Sequence, residues 1–323
     1  EEGAVDDVHE IVRLRDRYED RGIGFYLHID AAYGGYVRSL FLDEDGRFMG
    51  YNEVGRHHSR QGVLAPDTDW LSSDVYESFK AMPEADSITV DPHKLGYVPY
   101  AAGAVVARDR RIIDLISFFA AYVFEKTDDN PMLLGSYIME GSKAGAAVAA
   151  VWMAHRVVPL NVTGYGRIIG YSIEGAYRFY HSLLAAGPIE VGGRTFEVIP
   201  LARPDINIVD YAFHEKGNSS LEAMNRLNQA IYAECSYKSG PIYTNDFITS
   251  KTALTREEYG ETPRSFVRKF GLQAGEWDSL GSVYVLRSCI LTPYLMGHTT
   301  YEAYWANFMG AMQRAIGRIC GGT

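Results

Sequence analysis

Two short runs carry the residue types from which chemistry could be built. One is His28-Ile29-Asp30-Ala31-Ala32-Tyr33 and the other is Asp91-Pro92-His93-Lys94. Each comes after a β-rich run, Phe25 to Ile29 or Ser87 to Val90, that reads as a strand. A lysine amine just past a strand end can form an imine with an aldehyde and later exchange it for another amine. A carboxylate at a second strand end can sit against a ring nitrogen and keep it protonated, which makes the ring an electron sink. A residue as small as Ala32 lets a flat ring lie on it. Lys94, Asp30 and Ala32 thus supply what pyridoxal 5′-phosphate (PLP) requires. Taken singly, Asp-Ala-Ala reads as a strand-to-helix cap and His-Lys as a solvated loop. The pair, in this order and at two strand ends, points to chemistry.

Those ends must be held by an ordered frame. Val8, Ile11, Val12 and Tyr18 recur at helical spacing, with Asp6 or Asp7 as cap and Gly22 as terminator. Residues 43–62 are polar and lack a period, which predicts a loop or insertion. A third strand spans Gly103 to Ala107. Alternating helix and strand predicts an α/β architecture with a mostly parallel sheet, where ligands bind at the carboxyl edge. Arg111 to about Ala186 is mainly helical, broken at Thr127–Pro131 and again at Pro159–Gly166. From Ile189 the pattern changes. Gly192-Gly193 makes a hairpin of its flanks, and Ile206 to Phe213 reads as a strand. Ser219 and Glu222 form a capping box ahead of a helix that stops near Gly240-Pro241. A late strand, Ser282 to Leu286, precedes a closing helix, Tyr301 to Ile319. The expected domains are 1–160 and 161–323.

The chain has 323 residues and a net charge of −10, which argues against nucleic acid or an anionic membrane as the main partner. A small phosphorylated ligand remains compatible, because it needs only a local set of donors. Cys235, Cys289 and Cys320 show no metal spacing, and so sparse a set suggests reduced thiols and a cytoplasmic home. Gly145 to Ala154 is too short to span a bilayer. His155, His181, His214 and His298 are scattered, so no metal site is expected. Ser142-Lys143 lacks the spacing of a phosphate loop and reads as a helix start near the cofactor. The opening Glu1-Glu2-Gly3-Ala4-Val5-Asp6 carries no Met or signal peptide, and is expected to be the interior of a longer chain.

The segments HIDAAYGGY, SITVDPHKLGYVPY and EGSKAG resemble the group II PLP-dependent amino-acid decarboxylases. KLGYVPYAAGAVV and SYKSGPIYTNDFITS resemble the bacterial tyrosine decarboxylases in particular. The resemblance covers essentially the whole chain. It implies an α/β fold of the PLP-dependent transferase fold type I: the remainder of a large PLP-binding domain over 1–160, and a smaller C-terminal α/β domain over 161–323. It implies a cytoplasmic homodimer that decarboxylates L-tyrosine to tyramine, with an upstream segment, in the same parent chain or a separate fragment, still to be supplied. DOPA, phenylalanine, glutamate or aspartate are alternative substrates, and a non-catalytic partner protein is the alternative from another class.

The same resemblance implies roles for single residues. Lys94 would carry the cofactor, Asp30 would pair with its ring nitrogen, and Ala32 would pack on a ring face. His93 would lie beside the phosphate or the reacting centre. Many relatives have asparagine near the phosphate where this chain has Asp91. Either Asp91 points away, or a donor lies between two negative charges, or it is a turn residue before Pro92. Tyr122 matches a mobile-loop tyrosine proposed to protonate the reacting carbon, and otherwise reads as a packed helix aromatic. Tyr100 would line the substrate pocket. Ser288 falls at a substrate-pocket position, and otherwise reads as a strand-end serine.

Overall fold

The computed structural model describes residues 2–65, 71–117, 143–245, 247–296 and 298–321. The chain falls into two units. The first comprises Asp6–Val54 and Ser73–Arg167; the second comprises Glu1–Val5, Gly55–Ser72 and Ile168–Thr323. Elements in chain order begin with α1 (Val8–Glu19), β1 (His28–Asp30), α2 (Tyr51–Arg60), α3 (Ser73–Ala81), β2 (Ser87–Val90) and β3 (Ala104–Ala107). Helices α4 (Ile112–Ile116), α5 (Gly145–Val157) and α6 (Tyr165–Leu184) come next.

In the first unit β2 is the middle strand. β1 runs parallel to it, with Asp30 opposite Thr89, and β3 runs antiparallel, with Ala104 opposite Val90. The described sheet is therefore mixed rather than mostly parallel. A buried cation helps tie together the segments that enter β1 and β2. Arg15 on α1 is buried, donates to the Glu84 carbonyl (2.8 Å) and faces the Asp86 carboxylate (3.8 Å). Asp86 in turn accepts the Leu27 N–H at 2.8 Å, just ahead of β1. After β1 the chain winds into a tight 3-10 turn, Gly35–Phe41. Phe41 packs there with Phe48, Tyr76 and Phe79, ring centroids 5.3–5.7 Å apart.

Within 43–62, expected to be a loop, residues 51–60 form α2 instead. Its buried positions are Val54 and His58, one turn apart. A histidine on the inner face and Gly55 in mid-helix erase the apolar period by which a helix is recognised in a sequence.

The second unit holds β4 (Ile189–Val191), β5 (Arg194–Pro200), β6 (Ile208–Glu215), α7 (Leu221–Glu234), β7 (Ser250–Thr255), α8 (Arg256–Tyr259), α9 (Arg264–Lys269), α10 (Ala274–Leu280), β8 (Ser282–Cys289) and α11 (His298–Gly321). The five strands form an antiparallel sheet in the order β4-β5-β6-β8-β7. Every residue of β6 from Ile208 to His214 is buried, because both faces are covered. One face meets α6 and α11 through Phe179, Phe196, Tyr211, Phe213, Phe308 and Met312. The other meets α7, α9 and α10 through Leu221, Met224, Phe266, Trp277, Val283 and Val285.

The cap of α7 differs from the expected box. Ser220, not Ser219, is the N-cap, and its side chain accepts the Ala223 N–H at 3.3 Å. Glu276 on α10 accepts the Leu221 N–H (2.8 Å), while Glu222 pairs with Arg226 one turn on (2.7 Å). The N-cap N–H that a box would give to its glutamate goes instead to Asn218 Oδ1 (3.0 Å), and the distant Glu276 takes the next N–H along the helix. Among the described residues no helix is long and apolar enough to cross a membrane.

Candidate active site

β1 and β2 are adjacent and parallel, so the turns after Asp30 and Val90 leave the sheet at the same edge. The two turns are tied together there: the Asp91 N–H donates to the Ala32 carbonyl at 3.0 Å. Asp30 is exposed, and its Oδ1 accepts the Ala32 N–H (3.1 Å), which fixes the carboxylate at the strand end. The second turn closes through Lys94 N–H to the Asp91 carbonyl (3.0 Å), Tyr97 N–H to Lys94 (3.1 Å) and Val98 N–H to Pro92 (3.0 Å). Gly96 is required in it. A Cβ there would lie 2.6 Å from both the Pro92 oxygen and the Tyr36 ring. Tyr97 beside it adopts φ +54°, a left-handed conformation uncommon for a tyrosine.

The Lys94 ammonium lies 2.8 Å from Asp91 Oδ2. A donor, Lys94, thus sits on the Asp91 carboxylate. His93 Nε2 is 3.6 Å from the same oxygen, and its Nδ1 is 2.5 Å from the Ala102 carbonyl oxygen. The Tyr100 ring stacks on His93, with centroids 4.2 Å apart, and Tyr100 is 79% exposed.

Beneath the turn lies a cluster that sequence reasoning did not find. The Tyr165 hydroxyl donates to the Gly96 carbonyl at 2.7 Å, and the Tyr36 hydroxyl meets His155 Nε2 at 2.9 Å. The Tyr36 ring lies 5.2 Å from that of Tyr165. Burial pushes both phenols up and the His155 imidazole down, so all three stay neutral near neutral pH and serve as hydrogen-bonding props. Tyr36 and His155 are 119 residues apart, so no local spacing could have announced the contact.

Of the residues expected in the site, Asp30, Ala32, His93, Lys94 and Tyr100 all belong to the first unit. Ser288 belongs to the second. It is buried on β8, its hydroxyl 3.1 Å from that of Tyr211, and it helps line a cleft of about 590 Å³ with Phe247, Leu295 and Tyr304. Tyr122 and the loop after it lie outside the described residues. Among the described residues no group of three or more His, Cys, Asp or Glu could hold a metal ion.

A family model described as tyrosine decarboxylase, C-terminal, matches residues 175–316. The chain is 48% identical over 319 residues to L-tyrosine decarboxylase of Enterococcus faecalis and 47% identical over 319 residues to that of Levilactobacillus brevis. Each alignment covers 99% of this chain and 51% of the relative. Over nearly its whole length the chain is similar to these L-tyrosine decarboxylases. It spans about half the length of the curated relatives it matches. The family model falls inside the second unit, whereas the alignments to the curated relatives also cover the turns bearing Asp30 and Lys94. Solved structures agree on the fold. Lactobacillus brevis glutamate decarboxylase superposes with a TM-score of 0.55 at 15% identity, over 98% of this chain and 52% of that one. Oryza sativa TDC, solved with PLP and tryptamine, gives 0.53 at 14% identity, over 97% and 46%.

Proposed function

We propose that this chain is the lysine-bearing half of a PLP-dependent decarboxylase that converts L-tyrosine to tyramine and carbon dioxide. The observation that carries the reading is the tied pair of strand ends, which brings the Asp30 and Lys94 turns to one sheet edge through the Asp91–Ala32 hydrogen bond. The donor set fits the cofactor. A primary amine with a third of its side chain exposed, an exposed carboxylate held by the Ala32 N–H and a small, half-buried alanine share that edge.

When bound, PLP supplies an aldehyde carbon and an electron sink. Lys94 Nζ would hold it covalently, and the Asp30 carboxylate would hold a proton on the ring nitrogen. Ala32 would support one ring face. His93, braced by Ala102 and stacked by Tyr100, would stand beside the phosphate or the reacting carbon. Tyr100 and Ser288 would line the substrate pocket. Tyr122 would return a proton to the substrate carbon once carbon dioxide has left, a task for an acid positioned by a closing loop.

The reading takes residues 1–160 as part of the large PLP-binding domain and 161–323 as the small C-terminal domain of a cytoplasmic homodimer. It also includes a further segment, corresponding to the half of the relatives that this chain does not match. Two features of the first unit support that. Consecutive residues Val105 and Val106 on β3 are 69% and 60% exposed, and α5 buries none of its residues despite carrying Val148, Trp152, Met153 and Val157. Apolar surface of this extent calls for cover.

The test is carbon dioxide release from a panel of L-tyrosine, DOPA, phenylalanine, glutamate and aspartate, with PLP, by the chain alone and within its longer parent. Preferential release from L-tyrosine by the parent supports the reading. No release from any amino acid by the PLP-loaded parent contradicts it.

A further inference from the structure

We propose that Asp91 is a positioning residue for Lys94: a fixed carboxylate that receives the lysine amine whenever it is not bonded to the cofactor. The inference rests on the PLP function proposed for this site and adds a residue to it. Asp91 is held at the sheet edge by its own N–H on the Ala32 carbonyl (3.0 Å). Its carboxylate is packed as well, since a Cβ on Gly103 would come within 3.2 Å of Oδ1. The side chain of Asp91 is 16% exposed and that of Lys94 is 34% exposed. The acid is therefore the stationary partner and the amine the moving one.

The spacing explains the pairing. Asp91 and Lys94 are three residues apart in one hydrogen-bonded turn, so the lysine stem folds back onto the acid at 2.8 Å. A charge-assisted hydrogen bond of this length is roughly twice as strong as a neutral one. In turnover the lysine must leave and return. The substrate nitrogen forms a double bond to the cofactor carbon as the bond from that carbon to Lys94 Nζ breaks. The electron pairs of the broken bond stay on Nζ. The three hydrogens of the substrate ammonium pass to Lys94, which leaves as an ammonium. Asp91 then receives that ammonium, keeps it clear of the carboxylate being lost, and holds it within reach for the reverse exchange that frees the product amine. His93 Nε2 lies 3.6 Å from the same oxygen.

The experiment uses the full-length parent chain, prepared free of cofactor. PLP is added, the rise in visible absorbance is monitored, and steady-state turnover of L-tyrosine is then measured. Asp91→Asn keeps the volume and the backbone bond but removes the charge. It is expected to slow cofactor capture about tenfold and to lower kcat with KM for L-tyrosine unchanged, and Asp91→Glu is expected to restore both. Equal capture rates in wild type and Asp91→Asn would overturn the inference. Faster or tighter capture by Asp91→Asn would overturn it too, because it would set the carboxylate against the phosphate. Should Asp91→Asn fail to fold, Asp91→Glu decides: folded protein that captures PLP slowly contradicts the role, and capture at the wild-type rate supports it. Absence of capture by wild type overturns the PLP reading and this inference together, whereas normal wild-type capture with an indifferent Asp91→Asn overturns this inference alone.

Discussion

The two sheets of this chain are finished to different degrees. In the second unit, β6 is buried at every position from Ile208 to His214, with helices on both faces of its sheet. In the first unit, neighbouring residues Val105 and Val106 of β3 are both mostly exposed, so among the described residues neither face of that strand is fully covered. β1 and β3 are both edge strands of a described sheet of three, and edge strands present unpaired backbone groups. The residues proposed to hold the cofactor, Lys94 and Asp30, lie at the edge of the less finished sheet. The second unit carries a core covered on both sheet faces, while the first displays the lysine and the carboxylate at the edge of a more exposed sheet.

The largest expected effect is on the exposed edge. Asp30→Asn should lower L-tyrosine turnover by ~10²–10⁴-fold while thermal unfolding stays within a few degrees of wild type. Steady-state kinetics and a melting curve on the PLP-loaded parent check this. Near-normal turnover would show that the ring nitrogen takes its proton from elsewhere, and the contrast between a chemical edge and a structural core would fail.

The closed core should answer in the opposite way. Phe308 is fully buried on α11 against the rings of Phe179, Tyr211 and Phe247. Phe308→Ala should cost about 3–5 kcal/mol of stability, read by denaturant titration, through lost burial and the cavity left behind. Because that loss falls on the second unit, its unfolding midpoint should drop. A loss below about 1 kcal/mol would mean that this core is far less tightly packed than it looks.

A smaller effect concerns pH. His214 on β6 is buried against Phe270, and desolvation holds its imidazole below the ordinary value, opposed by Glu197 and Glu215. Linkage sets the sign. Above the unfolded imidazole's value neither state binds the proton, and His214 leaves stability independent of pH. Below it the unfolded chain takes up a proton that the folded chain resists, so the second unit loses stability as the pH falls. Melting temperatures from pH 8 to 5 should decline less steeply in His214→Leu than in wild type. An unchanged slope would assign the acid sensitivity to other groups.

What the sequence disclosed obeys the same division between local and distant causes. β2 is legible from Ser87 to Val90 because a short β-branched run ends at a proline-containing turn. α1 and the β4–β5 hairpin are legible from an apolar period and from Gly192-Gly193. β7 is not, because its inner face pairs Leu254 with Thr252, both buried, within a polar run. α2 is not, because His58 stands where an apolar residue would have marked the period. In the site, Asp30 and Lys94 are visible as strand-end motifs. The props beneath them, Tyr36, His155 and Tyr165, are brought together only by tertiary packing. Asp91 is visible as a departure, but its partner is not, since spacing alone does not fix where a lysine side chain points.

The most direct test asks which lysine holds the cofactor. The PLP-loaded parent chain is reduced with borohydride, digested, and the labelled peptide identified by mass, alongside the visible absorbance of Lys94→Ala and Lys143→Ala. The account predicts that the label sits on Lys94, that Lys94→Ala loses both the absorbance and turnover, and that Lys143→Ala keeps its absorbance. A label on Lys143 or any other lysine, or full visible absorbance in Lys94→Ala, would contradict it.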